Sequence, residues 1–133
     1  MDLKKYFAEH EGLGVLATSS EQGWVDTALY ARPYVVDEST VAFVMKERLS
    51  HQNLKSNIHA SYLFIENPLG YQGLRLYLTL IREEINQSLA AILRQQQPVI
   101  YPAGDDSNKY VVFFRVDCVR PLVGDDPPQE PDL

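Results

Sequence analysis

Residues 40–64 read TVAFVMKERLSHQNLKSNIHASYLF, and the change of period inside this stretch decides the fold. From Thr40 to Arg48 the pattern alternates: Val41, Phe43 and Met45 point to one side of a strand, and Ala42, Val44, Lys46 and Arg48 to the other. Residues 50–58 then read as one or two helical turns, with Leu54 and Ile58 four apart and Ser50 a good cap. HASYLFIE, residues 59–66, is extended again. A strand that ends in cations and runs into a helix start is a cradle for an anion, because the first helical N–H groups are unpaired and carry partial positive charge. Lys46, Arg48, Ser50 and His51 are therefore candidate phosphate ligands. The plainer alternative is a solvated strand end, partly neutralised by Glu47, with Ser50 acting only as a cap.

Outward from this stretch the chain keeps a hairpin grammar. A short N-terminal helix capped by Asp2 places Leu3, Tyr6, Phe7 and His10 on one face before Gly12 and Gly14 break it. GVLATSS is a strand, EQG a turn, and WVDTALYAR, residues 24–32, a second strand. Pro33 interrupts, PYVV resumes, DES turns, and TVAFVMK pairs back. Downstream, NPLGYQG is a loop and GLRLYLTLI a strand; Ile85, Leu89, Ile92, Leu93 and Gln96 then mark a helix ended by Pro98. YVVFFRVDCV is the last strand. Hairpin-linked strands exclude a parallel doubly wound sheet, in which a helix follows every strand. The expectation is a mainly β (α+β) antiparallel barrel with peripheral helices, whose closure removes strand edges.

A chain of 133 residues, 45% hydrophobic, is the size of one domain, here residues 1–123, followed by an acidic, Pro-rich tail, 124–133, expected to be disordered. Asp125, Asp126, Glu130 and Asp132 carry four of the six net negative charges, so the acidity is mostly a property of the tail. No broad Lys/Arg face exists for a phosphate backbone, which argues against a nucleic-acid partner. Cys118 is the one cysteine, which excludes an internal disulfide framework, fits a reducing compartment and reads as a half-buried residue. With no apolar run near the ~20 residues of a membrane span and no signal-like stretch, a cytoplasmic protein without a membrane partner is expected. His51 and His59 stand in no recognised ligand spacing, so no metal is expected.

GVLATSSEQGWVDTALY, then VAFVMKERLSHQNLKSNIHASYLFIE, then GLRLYLTL, in that order, resemble the pyridoxamine-5'-phosphate-oxidase-like family of FMN-binding split barrels. The resemblance spans roughly Leu13 to Glu83, and its most specific part is SHQNL with its flanking strands. It implies a six-stranded antiparallel split barrel with two or three peripheral helices, a homodimer, and FMN as cofactor in clefts between subunits. By position, Arg48, Ser50, His51 and Asn53 match the segment that holds the flavin phosphate. Ala28, Tyr30 and Arg32 match the strand beside the isoalloxazine ring, and Arg75 a recurrent arginine of a later strand. A cation and an aromatic two residues apart, Arg32 and Tyr30, also suit the edge of a flat polar ring.

Two departures bear on the chemistry. Fuller members of the family carry an Arg-Lys or Lys-Thr pair where this chain has Leu49, Ser50 and His51, which implies weaker FMN binding. The substrate-gripping C-terminal arginine of true pyridoxamine phosphate oxidases is replaced by PLVGDDPPQEPDL, so vitamin B6 oxidation is not expected. The resemblance thus implies an FMN-dependent oxidoreductase with an unidentified small-molecule substrate or electron donor. In that reading the flavin supplies the redox chemistry and no side chain is required as a catalyst. The alternatives are a non-catalytic flavin carrier and a split barrel that binds haem or another ligand, for which His10, His51 and His59 are the axial candidates. Trp24, Tyr34 and the Leu-rich face of GLRLYLTLI are candidates for a dimer contact or for core.

Overall fold

A computed structural model describes residues 1–67, 70–95 and 109–124. The elements run α1 (Leu3–Glu9), β1 (Gly12–Ser19), β2 (Val25–Leu29), β3 (Tyr34–Asp37), β4 (Thr40–Lys46), α2 (Leu49–Ser56), β5 (His59–Glu66), β6 (Gly73–Ile85), α3 (Gln87–Gln95) and β7 (Lys109–Pro121). All strand pairs are antiparallel, in one sheet of seven strands ordered β2-β1-β5-β6-β7-β4-β3. Among the described residues the strands number seven, where the family resemblance implies six. The Pro98 helix stop and the tail from Asp125 onward lie outside the described residues.

The alternation read from the sequence sorts side chains as the core requires. Leu16, Val41, Phe43, Met45, Tyr62, Phe64, Leu74, Leu76, Leu78 and Phe114 are all at most 2% exposed and share one core. Phe43 meets Tyr62 tilted at 5.0 Å and Phe114 edge-on at 5.9 Å, while Tyr62 and Phe64 lie nearly parallel at 6.5 Å. Leu3 and Phe7 of α1 and Leu54 of α2 enter the same core. The Leu-rich face of β6 is thus core and not a surface contact. Ala42 and Phe113, on the opposite face of β4 and β7, pack under Ala90 and Leu93 of α3. Both faces of β4 are covered, which is why VAFV is apolar without a break.

Asp2 caps α1, accepting the Lys5 N–H at 3.1 Å. β6 is longer than its local sequence suggests: Ile85, expected in a helix, pairs with Tyr110 as the last residue of the strand. The ladder to β7 outweighs the helical period there, and two register shifts, at Tyr77/Leu78 and Leu80/Arg82, let the long pair bend. Asn86 then starts α3, its side chain accepting the Leu89 N–H at 2.9 Å. Among the described residues no helix is long and apolar enough to cross a membrane.

The two end strands of the sheet, β2 and β3, are not hydrogen-bonded to each other. β3 pairs with only Thr40–Ala42 of β4, so the stretch from Phe43 to Lys46 has a strand neighbour, β7, on one side only. That open edge and β2 form the walls of the site.

Candidate functional site

A groove of about 720 Å³ lies between β2 and the end of β4, within the ~300–1,000 Å³ of small-molecule sites. Asp26, Ala28 and Tyr30 line one wall, and Val44, Lys46, Arg48, Leu49 and Ser50 the other. Gly12, Leu13 and Gly14 of β1 also line it. Gly14 is needed for the approach of these parts: a Cβ there would sit 1.9 Å from the Tyr62 hydroxyl and 2.4 Å from the Tyr30 carbonyl. In its absence the Tyr30 N–H reaches Gly14 O at 3.0 Å and the Tyr62 hydroxyl donates to Tyr30 O at 3.1 Å. The Tyr30 ring stands edge-on to Phe43, 5.8 Å away at 84°. Burial pushes the Tyr62 phenol well above its ordinary range, so it remains a donor.

The cationic end is built by an abrupt turn. The Arg48 N–H bonds back to Lys46 O at 2.8 Å, which ends β4 at Lys46 and makes Arg48 the cap residue of α2. Ser50 is therefore the second residue of the helix and not its cap; it is buried, 4% exposed. Arg48 makes no side-chain cap bond to the first N–H groups of α2. Asp26 is the acidic residue of the lining, a placement that its alternation in a hairpin strand did not reveal.

Ala28, Tyr30, Lys46, Arg48 and Ser50 line this groove together; the other four residues singled out from the sequence do not. Arg32 lies beyond the end of β2, and its guanidinium donates to the carbonyls of Phe7 and His10, both at 2.7 Å, at the end of α1. Asn53 donates to the Thr18 hydroxyl at 3.0 Å inside the protein, fixing α2 on β1. Arg75 donates to Pro121 O at 2.9 Å and Gly124 O at 2.8 Å, securing the chain after β7.

His51 is 1% exposed and turned away from the groove. Its ring stacks on Tyr110 at 3.9 Å and 18°. Nε2 donates to Glu83 at 2.6 Å, and Nδ1 lies 3.0 Å from a Glu47 oxygen without being aligned as a hydrogen bond. The His51 contact is the main reason the Glu47 carboxyl is held down to about 2. Glu47 in turn raises the Tyr110 phenol. Glu83 and Tyr110 were missed in the sequence; Glu47, four residues before His51, carried the one local signal.

The other histidines also stand outside the lining. His10 stacks on Tyr6 at 4.4 Å, and His59 is exposed with Nδ1 3.4 Å from the Thr79 hydroxyl. Burial pushes the Cys118 thiol up, away from thiolate reactivity.

No family model matches the chain, and no match is found among curated proteins. Solved structures do match. An FMN-binding protein from Syntrophomonas wolfei subsp. wolfei superposes with a TM-score of 0.72 at 13% identity, over 92% of this chain and 85% of that one. An F420 reductase gives 0.68 at 18% identity, over 86% and 94%. A protein of the pyridoxinephosphate oxidase family from Clostridium acetobutylicum, related to general stress protein 26 of B. subtilis, gives 0.60 at 15%, over 92% and 93%. At such identities the likeness is one of fold, and it covers most of each chain. An antiparallel sheet left open between β2 and β4, with three helices among the described residues, is the fold that this chain shares with these structures, and it agrees with the split-barrel resemblance of the sequence.

Proposed function

We propose that the groove binds a flavin mononucleotide and that the protein is an FMN-dependent oxidoreductase. The observation that carries this reading is the groove's division into two chemically different ends. Lys46, Arg48 and the start of α2, which Arg48 does not cap through its side chain, contribute the cationic part of the lining, and Ala28 and Tyr30, with Asp26 on the same strand, contribute the β2 side. A doubly charged phosphate suits the first end and a planar ring the second. The flavin supplies the redox chemistry when bound. Lys46 and Arg48 neutralise the phosphate, the N–H groups of Leu49 and Ser50 donate to it, and Tyr30 bounds the ring. Arg32, Asn53 and Arg75 act on the scaffold instead, holding α1, α2 and the end of β7.

A homodimer is part of the proposal. Leu13, Val25, Leu29 and Leu49 are between 51% and 71% exposed around the groove, and Trp24 is 79% exposed. Leu29, Val15, Leu63 and Arg75 form one outward row across β2, β1, β5 and β6. A sheet face with this much apolar surface suits a second copy of the chain, which would roof the groove.

The test is the visible spectrum of the protein after incubation with FMN and desalting. Retained flavin bands are expected, together with loss of about tenfold or more in affinity on Arg48→Ala, since a charge-assisted hydrogen bond contributes ~1.5–3 kcal/mol. A protein that leaves the column colourless, or an Arg48→Ala variant that binds FMN as tightly as the parent, would overturn the reading.

A further inference from the structure

His51 is the second conspicuous feature of α2, and the flavin reading gives it no contact with the ligand. Three elements converge on its ring. Glu47, in the turn before α2, faces Nδ1 at 3.0 Å; Glu83, on β6, accepts from Nε2 at 2.6 Å; and Tyr110, on β7, stacks beneath it. Lys55, one turn further along α2, pairs with Glu47 at 3.3 Å and is the cation facing the cluster from the helix itself. A neutral imidazole has a single N–H and can satisfy only one of two carboxylates. With the second nitrogen unprotonated, its lone pair would face a carboxylate oxygen.

The ring therefore joins the first turn of α2 to β6 and β7 in a way that depends on its protons. Ser50, Leu49 and Arg48, the residues immediately before it, line the groove. We propose that His51 is a pH-responsive positioning residue for the anion end of the groove. Protonated at both nitrogens, it clamps the start of α2 so that Arg48 and the first helical N–H groups meet an anionic group. Losing one proton releases the clamp, and the groove holds a phosphate-bearing ligand more weakly as pH rises. This rests on the flavin reading for the identity of the ligand, but not for the clamp itself.

The experiment has two readouts on the full chain. The first is ring-nitrogen and backbone-amide NMR of the protein without ligand, followed from pH 5 to 9. Both ring nitrogens of His51 should be protonated at the acidic end. The amides of Arg48, Leu49 and Ser50 should move with the same midpoint as the ring. The second is FMN affinity over the same range in the parent, in His51→Gln and in Glu83→Gln.

The phosphate of FMN gains charge above about pH 6, which by itself favours binding at higher pH. Relative to His51→Gln, the parent should nevertheless lose affinity about tenfold between pH 6 and 8.5, the equivalent of one pK unit of coupling. Glu83→Gln should lie between the two. A singly protonated ring throughout, amides of 48–50 that ignore its titration, or identical affinity profiles in parent and His51→Gln would each overturn the proposal. If FMN binds at no pH while the amides follow the ring, the flavin reading falls and the clamp stands.

Discussion

β4 and β2 form the two walls of the groove and are supported in opposite ways. β4 has strands on both sides at its start, core on one face and α3 on the other; Val41, Ala42, Phe43 and Met45 are at most 2% exposed. β2 is five residues at the end of the sheet, with β1 as its one strand partner and α2 beside it, and Val25 and Leu29 are each 71% exposed. Lys46 ends the closely packed wall and Arg48 follows in the turn, which is where the proposed phosphate would be held. The apolar surface sits on the lightly held wall. Val25 and Leu29 of β2, with Trp24 just before it, remain in water, and in the proposed homodimer this is the side that a second copy would cover.

The contrast predicts where substitutions act. The largest effect belongs to the β4 side. Phe114 on β7 is fully buried and meets Phe43 edge-on, so Phe114→Ala should cost ~3–5 kcal/mol, measurable as a lower urea midpoint. A loss below ~1 kcal/mol would mean that this core is not as closely packed as its burial indicates. Gly14→Ala should rank next, at ~1–3 kcal/mol, because the added methyl must displace the Tyr62 hydroxyl from Tyr30 O. It should also lower FMN affinity, whereas Phe114→Ala should not at temperatures where it stays folded.

How much of this was legible in the sequence follows from the physics of each element. Apolar segments bounded by turn residues located the strands of the described residues, although the resemblance implied six and the sheet has seven. Alternation marks the half-buried ones such as β2, whereas β4, covered on both faces, is apolar without a break. Local periodicity failed at Ile85, where pairing with Tyr110, remote in sequence, overrides a local helical pattern. The cationic end was legible because Lys46 and Arg48 are close in the chain. The part played by His51 was not. It depends on the turn at Glu47, which starts α2 two residues earlier than a Ser50 cap would and so rotates His51 towards β6 and β7. Arg32 was misplaced for a related reason: the strand was read as running through it, but β2 stops at Leu29 and the guanidinium goes to the end of α1.

A smaller, pH-dependent effect tests how the turn after β4 is joined to α2. The Glu47 carboxyl is lowered from 4.5 to about 2, chiefly by His51. A depressed carboxyl stabilises the fold above its unfolded value and loses that contribution as pH falls through the folded one. The parent should therefore be more stable than Glu47→Gln at pH 6, and the gap in Tm should close between pH 4.5 and 2. A gap independent of pH would show that Glu47 acts through shape and not through charge.

The smallest expected change in monomer stability comes from Leu29→Ser, and it is the one that decides what β2 is for. Exposed positions away from special contacts usually move stability by less than about 0.5 kcal/mol. If β2 awaits a second copy, the parent should sediment as a dimer of the 15.1 kDa chain, with a Tm that rises with protein concentration. Leu29→Ser should then shift the mass towards monomer and weaken FMN binding, though Leu29 is on β2 and the cations are at the other wall. A monomeric parent with full FMN affinity would instead mean that β2 and β4 complete the site within one chain, and the exposed apolar strand would need a different occupant. The outcome thus turns on a side chain whose removal the isolated fold should scarcely register, as expected for a residue placed for contact with something outside its own core.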